Sequence, residues 1–344
     1  MEKSILGNTN SHYNLAPIKY KWAYDMADKS LKNHWVPSQI GIGNDLETFK
    51  KLSLTEQHLF KSVFATLTTS DICIQRNLAI CIYECVTAPE LHIFIGNQIK
   101  EEAVHSIAYQ YVIEHLGFNE YEIYNLYKDV PEIAQKFALA EFYSKFILEY
   151  QDTKDITSLL IGLIFYYLCF EGGWFYNGFS PIFSLGRRNL MTASSEQLQY
   201  IMRDESAHTA FGTRLIKEIL AEYSHKINQR TIRDIFNDVV RSETIYASYA
   251  IPTIPGYTAA AHVEHLKYLL DRRARAIGFQ NVFNAENQFP WLDELVNIKK
   301  EKNFFETHVM EYQTGAGLMF ETSNVVVETI ESTEFIDSIS NWNR

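Results

Sequence analysis

Glycine and proline are scarce in this chain. Its 344 residues include 15 glycines and 8 prolines, while 47% are hydrophobic and 14% aromatic. So few helix breakers, combined with long segments of apolar periodicity, leave no good candidate for a β-strand. The sequence therefore predicts an all-α fold, and its length is sufficient for one large hydrophobic core.

Positive charge is also in short supply. The chain has 31 Lys and Arg against 42 Asp and Glu, a net charge of −11, which argues against nucleic acid as a partner. The four cysteines lie in apolar helical contexts and are interpreted as buried thiols. The N-terminus lacks a signal-peptide apolar region, and the most apolar run, 159–170, is too short to cross a bilayer. We therefore expect a cytoplasmic protein with no membrane partner.

Neither a linker nor a low-complexity tract interrupts the middle of the chain, so a single domain over 16–320 is the simplest organisation. Residues 1–15 are polar and predicted to be flexible, and 321–344 are predicted to form a mobile C-terminal tail. Capping boxes are predicted at Ser53–Glu56 and at Ser194–Gln197. Helices are predicted over about 53–85, 89–115, 131–151, 156–171, 194–223, 231–250 and 258–278.

A glutamate followed three residues later by a histidine occurs three times in the sequence. The pairs are Glu102/His105, Glu205/His208 and Glu222/His225. This spacing places both side chains on one helix face, but it also arises by chance in a chain so rich in acids. The third pair lies at a helix end beside a polar stretch and is interpreted as structural. The first two lie in the middle of predicted helices and could supply half of a dimetal site.

The other half of such a site requires one carboxylate from each of two further helices. Asp71 is the only acid between residues 59 and 82, and Glu171 is the only acid between 159 and 188. A lone acid in an apolar run costs several kcal/mol unless it is paired or binds a metal. The chain order is therefore carboxylate, E-x-x-H, carboxylate, E-x-x-H. This layout predicts a dimetal carboxylate site, and its donors suit iron or manganese.

At this point the chain resembles the small (beta) subunit of class I ribonucleotide reductase, most closely the chlamydial-type branch. The resemblance covers about residues 15–320. It is carried by APIKYKW (16–22), NHWVP (33–37), EEAVHS (101–106), RDESAH (203–208), DRR (271–273), NQFPW (287–291) and KEKNFFETHVMEYQ (300–313). The resemblance implies a ferritin-like helical bundle with extra flanking helices. It implies as metal ligands Asp71, Glu102, His105, Glu171, Glu205 and His208.

The resemblance also implies roles for five further residues. Tyr109 stands at the family's radical tyrosine, Trp35 at its radical-relay tryptophan, and Asp204 at the carboxylate between that tryptophan and His105. Phe175 and Phe179 match the apolar pocket around the radical. Without the resemblance, Tyr109 and Trp35 would be interpreted as core packing and Asp204 as a solvent-facing acid.

Two positions depart from the chlamydial-type pattern. That branch usually has Phe at the position of Tyr109 and Glu at the position of Asp71, whereas this chain has the residues of tyrosyl-radical members. We expect two metal ions per chain, Fe/Fe first, with Mn/Fe and Mn/Mn open. No tyrosine follows Tyr312, so the tail lacks the family's C-terminal relay tyrosine; Trp342 is another oxidisable group there.

The resemblance implies a ribonucleoside-diphosphate reductase small subunit, a homodimer active only with a large (alpha) subunit. Oxygen species activate the metals, and the oxidising equivalent rests on Tyr109 or on the metals. It then passes through His105, Asp204 and Trp35 to the large subunit and starts ribonucleotide reduction there. The tail 321–344 is expected to bind that partner. A ligand-binding dimetal oxidase of the same fold is the alternative, and iron storage is a third hypothesis.

Overall fold

The computed structural model describes residues 3–7 and 13–293, and these ranges are built from helices. The α-helices are α1 Lys21–Lys32, α2 Asp45–Lys51, α3 Leu54–Asn77, α4 Tyr83–Cys85, α5 Pro89–His115, α6 Glu120–Asp129, α7 Pro131–Thr153, α8 Ile156–Leu163, α9 Tyr176–Gly186, α10 Thr192–Glu222, α11 Gln229–Ala250 and α12 Ala259–Ala276. A π-helical segment, Leu78–Ile82, joins α3 to α4, and a second, Ile164–Phe175, joins α8 to α9. A 3-10 turn, Pro37–Gln39, precedes α2. Across these ranges no strand occurs, which confirms the all-α prediction.

The bundle is assembled from helices that pack in pairs. Helix α3 lies against α5, and α10 lies against the second π-helical segment. Helices α1, α6, α7, α11 and α12 pack around these four elements, so the predicted bundle with flanking helices is confirmed. Nearly all the buried apolar side chains of the described residues join one continuous core.

Local signals explain where two of the long helices begin. The Ser53 hydroxyl accepts a hydrogen bond from Glu56 N, and the Glu56 carboxylate accepts one from Ser53 N, so this capping box is confirmed. The second capping box, predicted at Ser194, is wrong, because α10 begins at Thr192. There the Asp45 Oδ2 atom accepts hydrogen bonds from Ser194 N at 2.6 Å and Ser194 Oγ at 2.7 Å. A carboxylate from a distant helix therefore caps α10, which the local sequence could not reveal.

The most apolar helix runs without a break through α8, the second π-helical segment and α9. This 31-residue span, Ile156–Gly186, extends beyond the 12-residue apolar run at 159–170 and is by length and composition apolar enough to cross a membrane. However, 83% of its most apolar window is buried inside the bundle. Its apolar surface is therefore covered by the protein itself, as in the core helix of a soluble protein.

Residues 3–7 pack against the bundle, which differs from the flexible N-terminus expected over 1–15. Ile5 is fully buried, its N–H donates to Glu222 Oε1 at 3.0 Å, and Leu6 N donates to the Tyr223 hydroxyl. Glu222 Oε2 also accepts from the Tyr20 hydroxyl at 2.6 Å. The buried side chain of Ile5 and its distant acceptor Glu222 were not visible in a polar sequence. The predicted boundary at 320 and the tail 321–344 lie outside the described residues.

Candidate metal centre

Four different elements carry the six candidate ligands to the middle of the bundle. Asp71 is on α3, Glu171 is on the second π-helical segment, and the two E-x-x-H pairs are on α5 and α10. All six side chains are fully buried. The lone acids of the sequence are therefore interior groups, and each faces the same point as the paired residues.

The ligand atoms form two groups that share one residue. Asp71, Glu102 and His105 make up the first group, and Glu102, Glu171, Glu205 and His208 make up the second. Within each group one atom from every side chain lies within 4.8 Å of the others. The shared carboxylate of Glu102 is therefore placed to bridge two positions.

The two imidazoles face the bridging carboxylates from opposite sides. His105 Nδ1 lies 3.6 Å from Glu102 Oε2 and 3.2 Å from Glu205 Oε1. His208 Nδ1 lies 3.2 Å from Glu102 Oε1 and 3.3 Å from Glu205 Oε2. Because each histidine reaches both carboxylates, Glu102 and Glu205 occupy the centre of the cluster and the other ligands lie at its two ends.

Burying these carboxylates without a cation among them costs the folded protein free energy. Burial raises the pKa of Asp71 well above its usual range, and the charge of Glu102 adds to the effect. Burial likewise raises the pKa of Glu171. Burial also acts to raise the pKa of Glu102, but the neighbouring rings of His105 and His208 lower it overall. So many acids in one dry space strongly favour a positive charge among them.

The orphaned oxygen atoms of the cluster fit a pair of metal ions. Both carboxylate oxygens of Asp71 and of Glu102 lack a hydrogen-bond partner, as do one oxygen of Glu171 and one of Glu205. Buried polar atoms are rarely left unpaired, so these oxygens indicate a bound cation. Four carboxylates balance the charge of two divalent ions, and oxygen-rich ligation with two imidazoles suits iron or manganese.

Asp204 connects the first histidine to Trp35. The indole Nε1 of Trp35 donates to Asp204 Oδ2 at 2.7 Å, and His105 Nε2 lies 3.4 Å from the same oxygen. Arg203 donates to the other oxygen, Oδ1, through Nε at 3.1 Å and through Nη2 at 3.0 Å. Burial acts to raise the pKa of Asp204, but the hydrogen bond from His105 and the charge of Arg203 lower it overall. The carboxylate therefore stays ionised between an indole and an imidazole.

Sequence reasoning missed a second outer network on the opposite side of the cluster. His208 Nε2 lies 2.9 Å from Glu101 Oε2, and Glu101 Oε1 accepts hydrogen bonds from Ser30 and Asn97. Gln98 Nε2 donates to Glu171 Oε1 at 2.8 Å. A signal for Glu101 was present, because it precedes a ligand glutamate just as Asp204 precedes Glu205.

Tyr109 lies fully buried beside the first group of ligands. Burial raises the pKa of its phenol well above the usual range, and the nearby Asp71 carboxylate adds to the effect. Its hydroxyl makes no hydrogen bond of ordinary geometry with any described residue. Phe64, which the sequence analysis did not single out, meets the Tyr109 ring edge-on at 6.0 Å between centroids. Phe175 and Phe179 are buried and stack on each other at 6.0 Å.

The chain is similar in sequence and in structure to known proteins of one family. The family described as "Ribonucleotide reductase, small chain" matches residues 12–290. The ribonucleoside-diphosphate reductase subunit beta of Chlamydia pneumoniae is 33% identical over 88% of this chain and 91% of its own. The ribonucleotide reductase R2 subunit from Clostridium botulinum superposes with a TM-score of 0.76 at 25% identity, covering 86% of this chain and 94% of its own. The ribonucleotide reductase Rnr4 homodimer from Saccharomyces cerevisiae superposes at 0.71 with 22% identity, covering 88% and 91%.

Proposed function

Since the chain belongs to the ribonucleotide reductase small-chain family, we propose that its buried cluster holds two metal ions that initiate ribonucleotide reduction on a separate large subunit. The chain is a small-subunit member of ribonucleoside-diphosphate reductase, and the dimetal oxidase alternative has no better support. The observation that carries the proposal is the convergence of four buried carboxylates with unpaired oxygens on two histidines. A storage role would leave Trp35 and Asp204 without a purpose.

The residues divide between two metal positions. Asp71 and His105 would hold one ion, Glu171 and His208 the other, and Glu102 and Glu205 would reach both. When bound, the pair supplies one-electron oxidising power on activation by oxygen or a reduced oxygen species. Fe/Fe is the first expectation because the donors are hard oxygens with two imidazoles, and Mn/Fe and Mn/Mn suit the same donors.

Tyr109 is proposed to store the oxidising equivalent. Its phenol lies in a dry setting beside Asp71, which protects an oxidised ring from solvent reductants. On oxidation the phenol would lose an electron to the activated metal pair and its proton to a neighbouring base, for which we propose the Asp71 carboxylate. Phe64, Phe175 and Phe179 are not readily oxidised, so they contribute an inert apolar surround.

The route out of the bundle is proposed to run through His105, Asp204 and Trp35. The carboxylate of Asp204 accepts from the indole N–H at 2.7 Å, so it can hold the proton that Trp35 releases on oxidation. Arg203 fixes the other oxygen of Asp204, which keeps Oδ2 facing both rings. Because Trp35 and His105 both lie close to Asp204 Oδ2, the three side chains form a continuous buried path along which the oxidising equivalent could pass.

The partners of the chain are proposed to be a large (alpha) subunit, bound through the tail 321–344, and a second copy of itself. Helices α3 and α5 pack together and expose the apolar side chains Ile72 and Ile107. We propose these two exposed side chains as a contact with the second copy. A homodimer would elute near twice 39.9 kDa, unlike a large storage cage. A cytoplasmic location stays a prediction.

The proposed function is tested by turnover with the large subunit. Purified chain loaded with iron or manganese is mixed with a class I large subunit, and ribonucleoside diphosphate reduction is measured. We expect reduction only when both subunits and metal are present. Oxidation of a bound long-chain ligand by the metal-loaded chain alone, without reduction of ribonucleotides, would instead favour the oxidase.

A further inference from the structure

Arg273 lies on α12, a helix that carries none of the candidate ligands. Its Nε donates to the carbonyl oxygen of Gly172 at 3.0 Å. Gly172 directly follows Glu171 in the second π-helical segment. A backbone carbonyl oxygen has two lone pairs, so a carbonyl of the π-helical segment can also accept a donor from outside the helix. Arg273 supplies such a donor one residue from a ligand.

The Arg273 guanidinium is also connected, through Tyr176, to α10, which carries Glu205 and His208. It lies 5.1 Å from the ring centroid of Tyr176, and the Tyr176 hydroxyl is hydrogen-bonded to Ser206 Oγ. Because Ser206 donates its own proton to the Met202 carbonyl, Tyr176 is the donor in that pair. Ser206 directly follows Glu205 in the sequence. One side chain is therefore connected to the residues that follow two different ligands.

The missing side chain of Gly172 makes room for this contact. A Cβ atom at Gly172 would lie 2.8 Å from Arg273 Nε, 2.9 Å from Thr209 Cγ2 and 2.9 Å from the Tyr167 carbonyl oxygen. Thr209 directly follows His208, so α10 and α12 both press on the π-helical backbone at this glycine. The local sequence is thus adapted to let a cation approach the backbone beside Glu171.

We propose that Arg273, through the Gly172 carbonyl and the Tyr176–Ser206 pair, is a positioning residue for the metal position held by Glu171, Glu205 and His208. Arg273 touches none of these ligands and acts by fixing the π-helical segment against α10. The position held by Asp71 and His105 shares Glu205, but its own ligands lie on α3 and α5, which this contact does not reach. The inference rests on the proposed dimetal site.

The test is a titration of the metal-free full chain with Mn²⁺, followed by electron paramagnetic resonance of the bound ion. Arg273→Gln removes the cation, and Tyr176→Phe removes the hydroxyl link to Ser206 while keeping the ring. Arg272→Gln is the matched control, because Arg272 is the neighbouring residue and contacts an exposed acid, Asp293, and the Tyr268 ring rather than the π-helical segment. Loss of a supporting contact around a ligand typically weakens metal binding about 10- to 100-fold.

We expect the Arg273 variant to weaken one of the two manganese affinities by about tenfold or more and the other by less, because the two positions share Glu205, and to alter the spectrum of the bound manganese. Tyr176→Phe should weaken the same affinity less, and Arg272→Gln should match the unaltered chain. An equal fall of both affinities, or no change in either Arg273→Gln or Tyr176→Phe, would overturn the inference. If the Arg273 variant does not fold, Tyr176→Phe decides. An unaltered chain that binds no pair of ions would instead refute the proposed dimetal site.

Discussion

His208 Nε2 lies 2.9 Å from Glu101 Oε2, across the interface between α10 and α5. The other histidine has the corresponding arrangement, because His105 Nε2 lies 3.4 Å from Asp204 Oδ2. Each acid directly precedes the ligand glutamate of its own helix and contacts the histidine of the other helix. The two halves of the cluster therefore brace each other, and each imidazole turns its Nδ1 toward the shared carboxylates.

Removal of the Glu101 carboxylate should weaken metal binding at the His208 end. Glu101→Ala leaves His208 without its outer partner, so the imidazole loses its fixed orientation. We expect metal affinity to fall about 10- to 100-fold at one position. Titration of the metal-free chain checks this, with Glu114→Ala as the control on an exposed part of the same helix. Equal affinities in the two variants would show that Glu101 does not orient the ligand.

The ligand set could be found from the sequence because its signals are local. A lone acid in an apolar helix and an E-x-x-H pair within a helix are both visible without any fold. The partners of the histidines are different, since they belong to the opposite helix. Glu101 and Arg273 stand in recognisable stretches of the sequence, but only the packing of α5, α10 and α12 reveals what they contact.

The same limit explains the other differences between expectation and structure. Asp45 caps α10 from a distance, and Ile5 anchors a polar segment in a pocket made elsewhere. Phe64 meets the Tyr109 ring from α3, whereas the sequence drew attention to Phe175 and Phe179. Helical periodicity predicts which side chains enter the core, but not which of them meet there.

Trp35→Phe should separate metal chemistry from communication with the large subunit. Phenylalanine cannot donate to Asp204 or be readily oxidised, so the proposed route is cut outside the metal cluster. We expect two metals per chain and loss of ribonucleotide reduction to background. Trp22→Phe is the control, because the Trp22 indole N–H has no hydrogen-bond partner among the described residues. Normal turnover in the Trp35 variant would contradict the proposed route.

Tyr109→Phe tests where the oxidising equivalent is stored. The substitution removes a buried hydroxyl that makes no ordinary hydrogen bond, so folding and metal content should be unchanged. We expect the organic radical signal and turnover to disappear together under iron loading and under manganese loading. Tyr166→Phe is the control, since Tyr166 is equally buried but its hydroxyl donates a hydrogen bond to the Ile74 carbonyl rather than to a candidate ligand. Full turnover in the Tyr109 variant would mean that the metals alone store the equivalent.

His265 should make the fold less stable below neutral pH. Burial lowers its pKa to about 3, so the folded protein keeps this ring neutral while the unfolded chain binds a proton below about pH 6.5. The contribution of the neutral His265 ring to the free energy of unfolding is therefore fully present above that pH and is lost as the pH falls toward 3. The loss at pH 5 relative to pH 7 should be roughly 2 kcal/mol, from about 1.4 kcal/mol per pH unit.

Urea unfolding of the metal-free chain at pH 5 and pH 7 measures this loss. In His265→Gln the difference between the two pH values should shrink by about the same roughly 2 kcal/mol. His115→Gln, at an exposed position, should leave the difference unchanged. An identical pH dependence in the native chain and in His265→Gln would show that this ring does not titrate on unfolding.

The central claim is that the buried cluster holds two metal ions, and the count of bound metal per chain tests it most directly. His208→Ala removes a candidate ligand, whereas His225→Ala alters the third E-x-x-H pair, in which the His225 ring is hydrogen-bonded to Thr157 Oγ1. Metal analysis on protein loaded with iron or manganese should give two ions per chain for the native protein and for His225→Ala, and fewer for His208→Ala. Two ions retained in His208→Ala, or none in the native chain, would contradict the account.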